Sequence, residues 1–257
     1  MKQDLYFTTK RGEKLCGVLE LPDDTKQPVP IVIYCHGFLG SKNMLFASAL
    51  ARGLVRQGFG VYRFDLPGHG KSTGDKYEVT LPRNIEDVSG IIDMLSELPE
   101  IDKSRIAVMG HSYGGTTALL VPAFDSRVKV AISLGSALNF KAIINHMIKA
   151  GKMIARNGYL YYNLVPFFVK QRCHKTLYPY SQKFDFATES AKVKIPILLI
   201  NGARDNTIPL RLARETVAAL PGKKKLVILS NEGHLFIRPG TKKKLISIID
   251  NWLKDNL

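Results

Sequence analysis

Ser112 stands between two glycines in the stretch Gly110-His111-Ser112-Tyr113-Gly114, directly after the run RIAVM at 105–109. A serine hydroxyl is a weak nucleophile unless a neighbouring base takes its proton and a third group orients that base. Read locally, the pentapeptide is only a glycine-rich turn. An apolar strand before it and a helix after it turn the pattern into a nucleophile elbow. That bend is so tight that the positions two before and two after the serine must lack side chains. RIAVMG (105–110) reads as a strand and SYGGTTALLVPAF (112–124) as a helix, so the chain supplies this context. The helix N-terminus beneath Ser112 also favours developing negative charge.

A base and an orienting acid are expected on loops after later strands, where ligands gather in open parallel sheets. Asp205 follows the apolar run IPILLI in NGARDNTIP, and His234 follows KLVILS in NEGHLF. Asp205 has a second reading, as a helix N-cap before Pro209, and Asp185 is a rival acid. His36, His69, His111, His146 and His174 are rival bases, but only His234 comes after both the acid and a late strand. The chemistry assembled this way is acyl transfer: His234 takes the Ser112 proton and returns it to the leaving group, while Asp205 holds the imidazole tautomer. The developing oxyanion needs backbone donors. Tyr113 N–H, after the nucleophile, and Phe38 N–H, in His36-Gly37-Phe38, are the candidates. The other reading of His36-Gly37 is an ordinary strand-end turn.

The elements that must hold these residues alternate along the chain. DLYFTT (4–9) and KLCGVLELP (14–22) read as a hairpin turning at Gly12, and PIVIYC (30–35) as a strand buried on both faces. Helical spacing over 43–57 precedes the strand VYRFD (61–65), and a second helix covers 82–98. After the elbow come the strand VKVAISLG (128–135), the strand IPILLING (195–202), the helix LRLARETVAAL (210–220), the strand KKLVILS (224–230) and a terminal helix over 240–257. Strands alternating with helices imply right-handed crossovers and a mostly parallel sheet with helices on both faces. Only 136–194 breaks the rhythm. Ile143, Ile144, Met147, Ile148, Met153 and Ile154 keep helical spacing there, so the segment reads as an inserted helical cap.

HGFLGSK, DLPGHGKSTG, GHSYGG, NGARDNTIP and NEGHLF occur in this order. With them the chain resembles the α/β-hydrolase superfamily over nearly its whole length. The resemblance implies an α/β fold: a mostly parallel eight-stranded sheet with an antiparallel start, helices on both faces and a helical cap insertion. The core would be 1–135 and 195–257, and the cap 136–194. It also implies no cofactor and no metal, Ser112, Asp205 and His234 as the triad, and Phe38 and Tyr113 at the oxyanion hole. Among its branches the chain is similar to feruloyl/cinnamoyl esterases and monoacylglycerol-lipase-like hydrolases. The serine argues against the dehalogenase and epoxide-hydrolase branches, which use aspartate.

Composition bounds the rest. Lys and Arg total 37 against 22 Asp and Glu, a net charge of +15 over 257 residues. Such a balance admits nucleic acid, an anionic membrane surface or an acidic substrate as partner, besides plain solubility. No RNA- or DNA-binding motif is recognisable, so no nucleic-acid partner is expected. No stretch approaches the roughly 20 apolar residues of a membrane helix, and MKQDLYFTTKRGEK has no apolar run of a secretory signal. Three widely spaced cysteines, Cys16, Cys35 and Cys173, fit neither a disulfide framework nor a metal site, which makes the cytoplasm the default compartment.

Between Phe140 and Phe184 there are eight basic residues and no Asp or Glu, interleaved with Tyr159, Tyr161, Tyr162, Phe167 and Phe168. Over an acyl-transfer site, such a cap suits an ester with an apolar body and a polar or anionic edge; the bland reading is a solvated face. Position alone makes Met44, Leu45, Leu138, Phe140, Tyr159 and Leu160 the substrate-pocket candidates. The leading expectation is a serine carboxylesterase acting on small to medium acyl or aryl esters, hydroxycinnamoyl esters included, through an acyl-enzyme. The alternatives are a monoacylglycerol or lysophospholipid lipase in peripheral contact with a membrane, or a non-enzymatic ligand- or nucleic-acid-binding protein. A homodimer is compatible with all of them.

Overall fold

The computed structural model describes residues 1–23, 26–157, 159–164, 169–172 and 177–257. The expected hairpin is β1 (Lys2–Thr8) against β2 (Lys14–Glu20), antiparallel, and β2 pairs antiparallel with β4 (Gly60–Phe64). From there every pairing is parallel, through β3 (Val29–Cys35), β5 (Ile101–His111), β6 (Val128–Leu134), β10 (Ile197–Gly202) and β11 (Lys224–Leu229). The eight-stranded order is β1-β2-β4-β3-β5-β6-β10-β11. β5 and β3 lie side by side near the middle, so the elbow and the loop after β3 emerge as neighbours.

The central strands carry unbroken apolar runs, such as Ile106–Met109 and Ile197–Ile200, because both of their faces are covered there. In β3, Ile31, Ile33 and Cys35 enter one core while Val32 and Tyr34 enter the other. In β10, Ile197 and Leu199 part from Leu198 and Ile200 in the same way. One core is closed by α2 (Leu81–Ser96), α3 (Tyr113–Leu120) and α7 (Leu210–Ala219), the other by α1 (Leu45–Val55) and α8 (Thr241–Asn256). α2 begins where the sequence signals it: Thr80 Oγ1 accepts from Arg83 N–H and Pro82 stands in the first turn.

The insertion after β6 departs from a wholly helical cap. α4 (Phe140–Lys149) is the amphipathic helix that the Ile143–Ile148 spacing predicts, with the Asn139 side chain capping it through Ala142 N–H. Beyond Gly151, at φ 69°, the chain becomes extended. β7 (Met153–Arg156), β8 (Tyr159–Leu164) and β9 (Val169–Arg172) form an antiparallel three-stranded sheet, followed by α5 (Leu177–Lys183) and α6 (Phe186–Lys192). Met153 and Ile154 therefore sit on a strand. The β-branched and aromatic content of 153–164 outweighs an accidental three-and-four spacing. Phe167, Phe168, Cys173, His174 and Lys175, and the side chains of Lys170 and Arg172, lie outside the described residues.

Candidate active site

Ser112 occupies φ 54° and ψ −121°, a conformation that side chains rarely adopt. The surrounding glycines are what permit it. A Cβ on Gly110 would lie 2.1 Å from the Gly114 carbonyl oxygen, and one on Gly114 would lie 2.2 Å from the Cys35 carbonyl oxygen. The strained backbone is fixed on both sides: Ser112 N–H donates to Leu134 O at 2.9 Å, and Ser112 O accepts from Gly115 N–H at 2.8 Å. The hydroxyl is thereby presented at the carboxyl edge of the sheet, over the N-terminus of α3.

Two loops from the far side of the sheet reach it. His234 Nε2 is 2.9 Å from Ser112 Oγ, and His234 Nδ1 is 2.8 Å from Asp205 Oδ2. With Nδ1–H donating to the carboxylate, Nε2 is the free acceptor facing the hydroxyl. Asp205 is not the N-cap of α7, which begins after Pro209 with no side-chain cap. Its Oδ1 accepts from Thr207 N–H and Ile208 N–H, each at 2.8 Å, which fixes the turn before α7, while Oδ2 is left to the imidazole. Gly202 lets the two loops approach; a Cβ there would lie 2.3 Å from Glu232 O. The rival acid Asp185 is spent on a cap, accepting from Ala187 N–H, Thr188 N–H and the Thr188 hydroxyl at the start of α6.

The loop after β3 abuts the elbow: a Cβ on Gly37 would be 3.2 Å from Ser112 Cβ. The Phe38 ring meets the Tyr113 ring edge-on, with centroids 5.0 Å apart. A buried polar network underlies this loop. Asp65 accepts from Lys42 N–H at 2.7 Å, from Lys42 Nζ at 2.5 Å and from Lys71 N–H at 3.0 Å. Arg63 adds hydrogen bonds to Lys42 O and to Glu20. Burial works against the Lys42 charge, but the hydrogen bond and carboxylate of Asp65 outweigh it and hold the ammonium charged.

Two rival histidines prove to be props around the site. His36 is wholly buried; its Nδ1 is 2.8 Å from Gly37 O, and its Nε2 accepts from Leu66 N–H at 3.0 Å. His111 Nε2 donates to the His234 carbonyl at 2.8 Å, so the residue before Ser112 steadies the backbone of the residue that faces it. Burial drives both imidazoles down to about 4, and the neighbouring His234 adds to the effect at His111, so both stay neutral near pH 7. His69 and His146 bond backbone carbonyls, of Pro67 and of Asn206. In the sequence only chain order separates such props from a base: His234 alone follows both the acid and a late strand.

A cavity of about 330 Å³ opens beside Ser112. Met44 and Phe140 line it as expected. Leu45, Leu138, Tyr159 and Leu160 do not. Leu45 begins α1 and is 82% exposed, whereas Leu138 and Leu160 are fully buried in the core. Alternate residues of a strand share a face, so Tyr159 faces away from Tyr162, which does line the cavity. The rest of the wall comes chiefly from Ile143, Ile144 and Met147 of α4, with Met153, Leu177 and Ile208. The sequence signals these only as an apolar stripe at helical spacing, without saying what the stripe faces.

A family model described as alpha/beta hydrolase fold matches residues 30–163, just over half of the chain. The chain belongs to the α/β-hydrolase fold family. A second model, described as TAP-like protein, matches residues 165–256 of this α/β-hydrolase. Among curated proteins, an uncharacterized 31.7 kDa protein of the traX-finO intergenic region of Escherichia coli is 26% identical, over 89% of this chain and 91% of its own. Among solved structures, Est1E from Butyrivibrio proteoclasticus with ferulic acid bound aligns over 98% of both chains at a TM-score of 0.80 and 20% identity. The esterase domain of a Rhodothermus marinus protein aligns over 100% of this chain and 99% of that one, at 0.78 and 24%. The likeness to these two is one of fold. Among the described residues of this α/β-hydrolase, no helix is long and apolar enough to cross a membrane.

Proposed function

We propose that the protein is a serine hydrolase that cleaves carboxylic esters through an acyl-enzyme. The observation that carries this reading is the unbroken hydrogen-bond chain from Ser112 Oγ through the His234 imidazole to Asp205, at 2.9 and 2.8 Å. Ser112 Oγ attacks the ester carbonyl carbon as its proton passes to His234 Nε2. Phe38 N–H and Tyr113 N–H receive the oxyanion. The bond to the alcohol oxygen then breaks and that oxygen takes the proton from Nε2. Water, activated by the same nitrogen, attacks the acyl-enzyme and releases the acid, restoring the serine.

The apolar wall around Ile143, Ile144 and Met147 suits a small to medium acyl or aryl group. Est1E, of the same fold, binds ferulic acid, which brings hydroxycinnamoyl esters into the range of candidate substrates. Labelling by a fluorophosphonate probe, with turnover of p-nitrophenyl esters of graded chain length, tests the reading. Ser112→Ala is expected to lose both labelling and turnover while keeping its melting temperature. Near-normal turnover in that variant would overturn the assignment.

One observation favours a second reading, a monoacylglycerol or lysophospholipid lipase at a lipid surface. Met44 and Leu235 line the cavity yet are exposed, and Leu45 and Ile237 beside them in sequence are still more so. A rise in turnover above the critical micelle concentration of the substrate separates the lipase from the esterase.

A further inference from the structure

A second cleft, of about 870 Å³, lies on the other side of His234 and shares His234, Leu235 and Tyr162 with the apolar cavity. Its composition is different. Lys152, from the turn before β7, Arg204, from the loop after β10, and Arg238, from the loop after β11, all line it. Three separate segments of chain thus bring cations to one concavity. Among the described residues none of the three is ion-paired with a carboxylate. Lys152 Nζ donates to three neutral oxygens, Asn206 O at 3.1 Å and Asn206 Oδ1 and Thr207 Oγ1 at 2.9 Å, and Arg204 donates to Asn231 Oδ1 at 3.3 Å. The cleft wall also holds one carboxylate, Glu232, which is buried and accepts from the Thr241 hydroxyl, and Asp205, which faces His234, lies close enough to act on the Lys152 charge. Burial lowers the pKa of Lys152, and the nearby Asp205 carboxylate offsets that only in part.

Geometry assigns the two cavities to the two halves of an ester. The oxyanion loop and Ser112 line the apolar cavity and are absent from the wall of the basic cleft. The acyl carbon must sit at Ser112, so the acyl chain belongs to the apolar side. The departing alcohol takes its proton from His234 Nε2, so it lies on the imidazole side, where the cleft begins.

We propose that this cleft binds the alcohol half of the substrate and selects an alcohol that carries a phosphate or carboxylate group. The inference rests on the hydrolase reading and narrows it. A phosphate on a small soluble alcohol and one on a lysolipid headgroup present the same chemistry to Arg204 and Arg238, whose guanidinium forks match such anions.

The test compares kcat/KM for butyryl glycerol with that for butyryl glycerol 3-phosphate, and for lysophosphatidate below and above its critical micelle concentration. The phosphate-bearing soluble ester is expected to be preferred by about tenfold or more at low salt, the scale of one charge-assisted hydrogen bond. That ratio is expected to fall at least about fivefold in the double variant Arg204→Gln/Arg238→Gln, and separately in Lys152→Gln. It should hold in Lys242→Gln/Lys243→Gln on α8, which removes as much charge away from the cleft. Melting temperature and fluorophosphonate labelling report whether each variant is folded. No preference for the phosphate ester, an equal fall in the α8 variant, or a preference seen only above the micelle concentration would each overturn the inference while leaving the hydrolase reading intact. If no ester is cleaved and Ser112 is not labelled, the hydrolase reading has failed and the inference falls with it.

Discussion

The His36 ring donates its Nδ1 hydrogen to the carbonyl oxygen of Gly37, 2.8 Å away, while its Nε2 accepts from Leu66 N–H. The second bond decides the first, because an Nε2 that accepts leaves the hydrogen on Nδ1. The Gly37 carbonyl belongs to the same peptide as the Phe38 N–H. His36, together with Gly40 N–H at 2.9 Å from the same carbonyl, therefore helps set the direction of a proposed oxyanion donor without touching substrate. His36→Phe is expected to lower kcat by up to about 10²-fold, the lower end of the cost of losing such a donor, with KM little changed. His36→Asn, which can still donate to the carbonyl, should recover part of the loss. Steady-state kinetics on one soluble ester check this; a fall confined to KM would remove His36 from the role.

Gly114 offers a steric test of the elbow. Its added methyl would meet the Cys35 carbonyl oxygen at 2.2 Å, backbone against backbone, with neither side able to rotate away. Gly114→Ala should destabilise by more than the roughly 1–3 kcal/mol of ordinary overpacking or fail to fold. Gly12→Ala, at φ 84° with nothing within 4 Å, should cost only about 1–2 kcal/mol of backbone strain. Urea denaturation of the two variants distinguishes the cases.

Ile144 is buried in α4 and forms part of the apolar cavity wall. Ile144→Trp should lower kcat/KM for octanoyl esters at least about tenfold more than for acetyl esters, since lost pocket volume is felt first by the longer chain. A p-nitrophenyl ester series measures the ratio. Equal losses across the series would place the acyl chain elsewhere.

Stability should fall in acid through His36 and His111. Both are held near 4 in the fold against an ordinary value near 6.5. Between those values the unfolded chain binds protons that the folded chain refuses, so these two groups make stability rise with pH across that window. Each contributes at most about 1.4 kcal/mol per pH unit and nothing further above about pH 7. Urea unfolding free energies between pH 4.5 and 6.5 should have a shallower slope in His111→Gln than in the parent; an unchanged slope would contradict the burial argument.

Much of this molecule is legible along the chain because the relevant physics is local. A strand buried on both faces needs an unbroken apolar run, as in PIVIYC and IPILLI, and a bend as tight as that at Ser112 needs glycine at 110 and 114. Local rules also put Asp205 and His234 on loops just past strands, and the parallel sheet collects such loops at one edge. Other properties depend on what packs against what. The sequence spacing of Met153 and Ile154 fits a helix, but their place in a three-stranded sheet depends on partners later in the chain. Whether His36, His111 or His234 faces the serine depends on ring orientation, which hydrogen bonds to Leu66, to His234 O and to Asp205 decide. The cavity wall is the clearest case. Ile143, Ile144 and Met147 are an apolar stripe in any reading, and only the fold of the insertion over the elbow turns that stripe toward Ser112, leaving Leu138 and Leu160 sealed in the core. Residue identity determined which groups were available for chemistry; which of them meet was decided by burial, since long-range packing alone sets which face of an element is excluded from water.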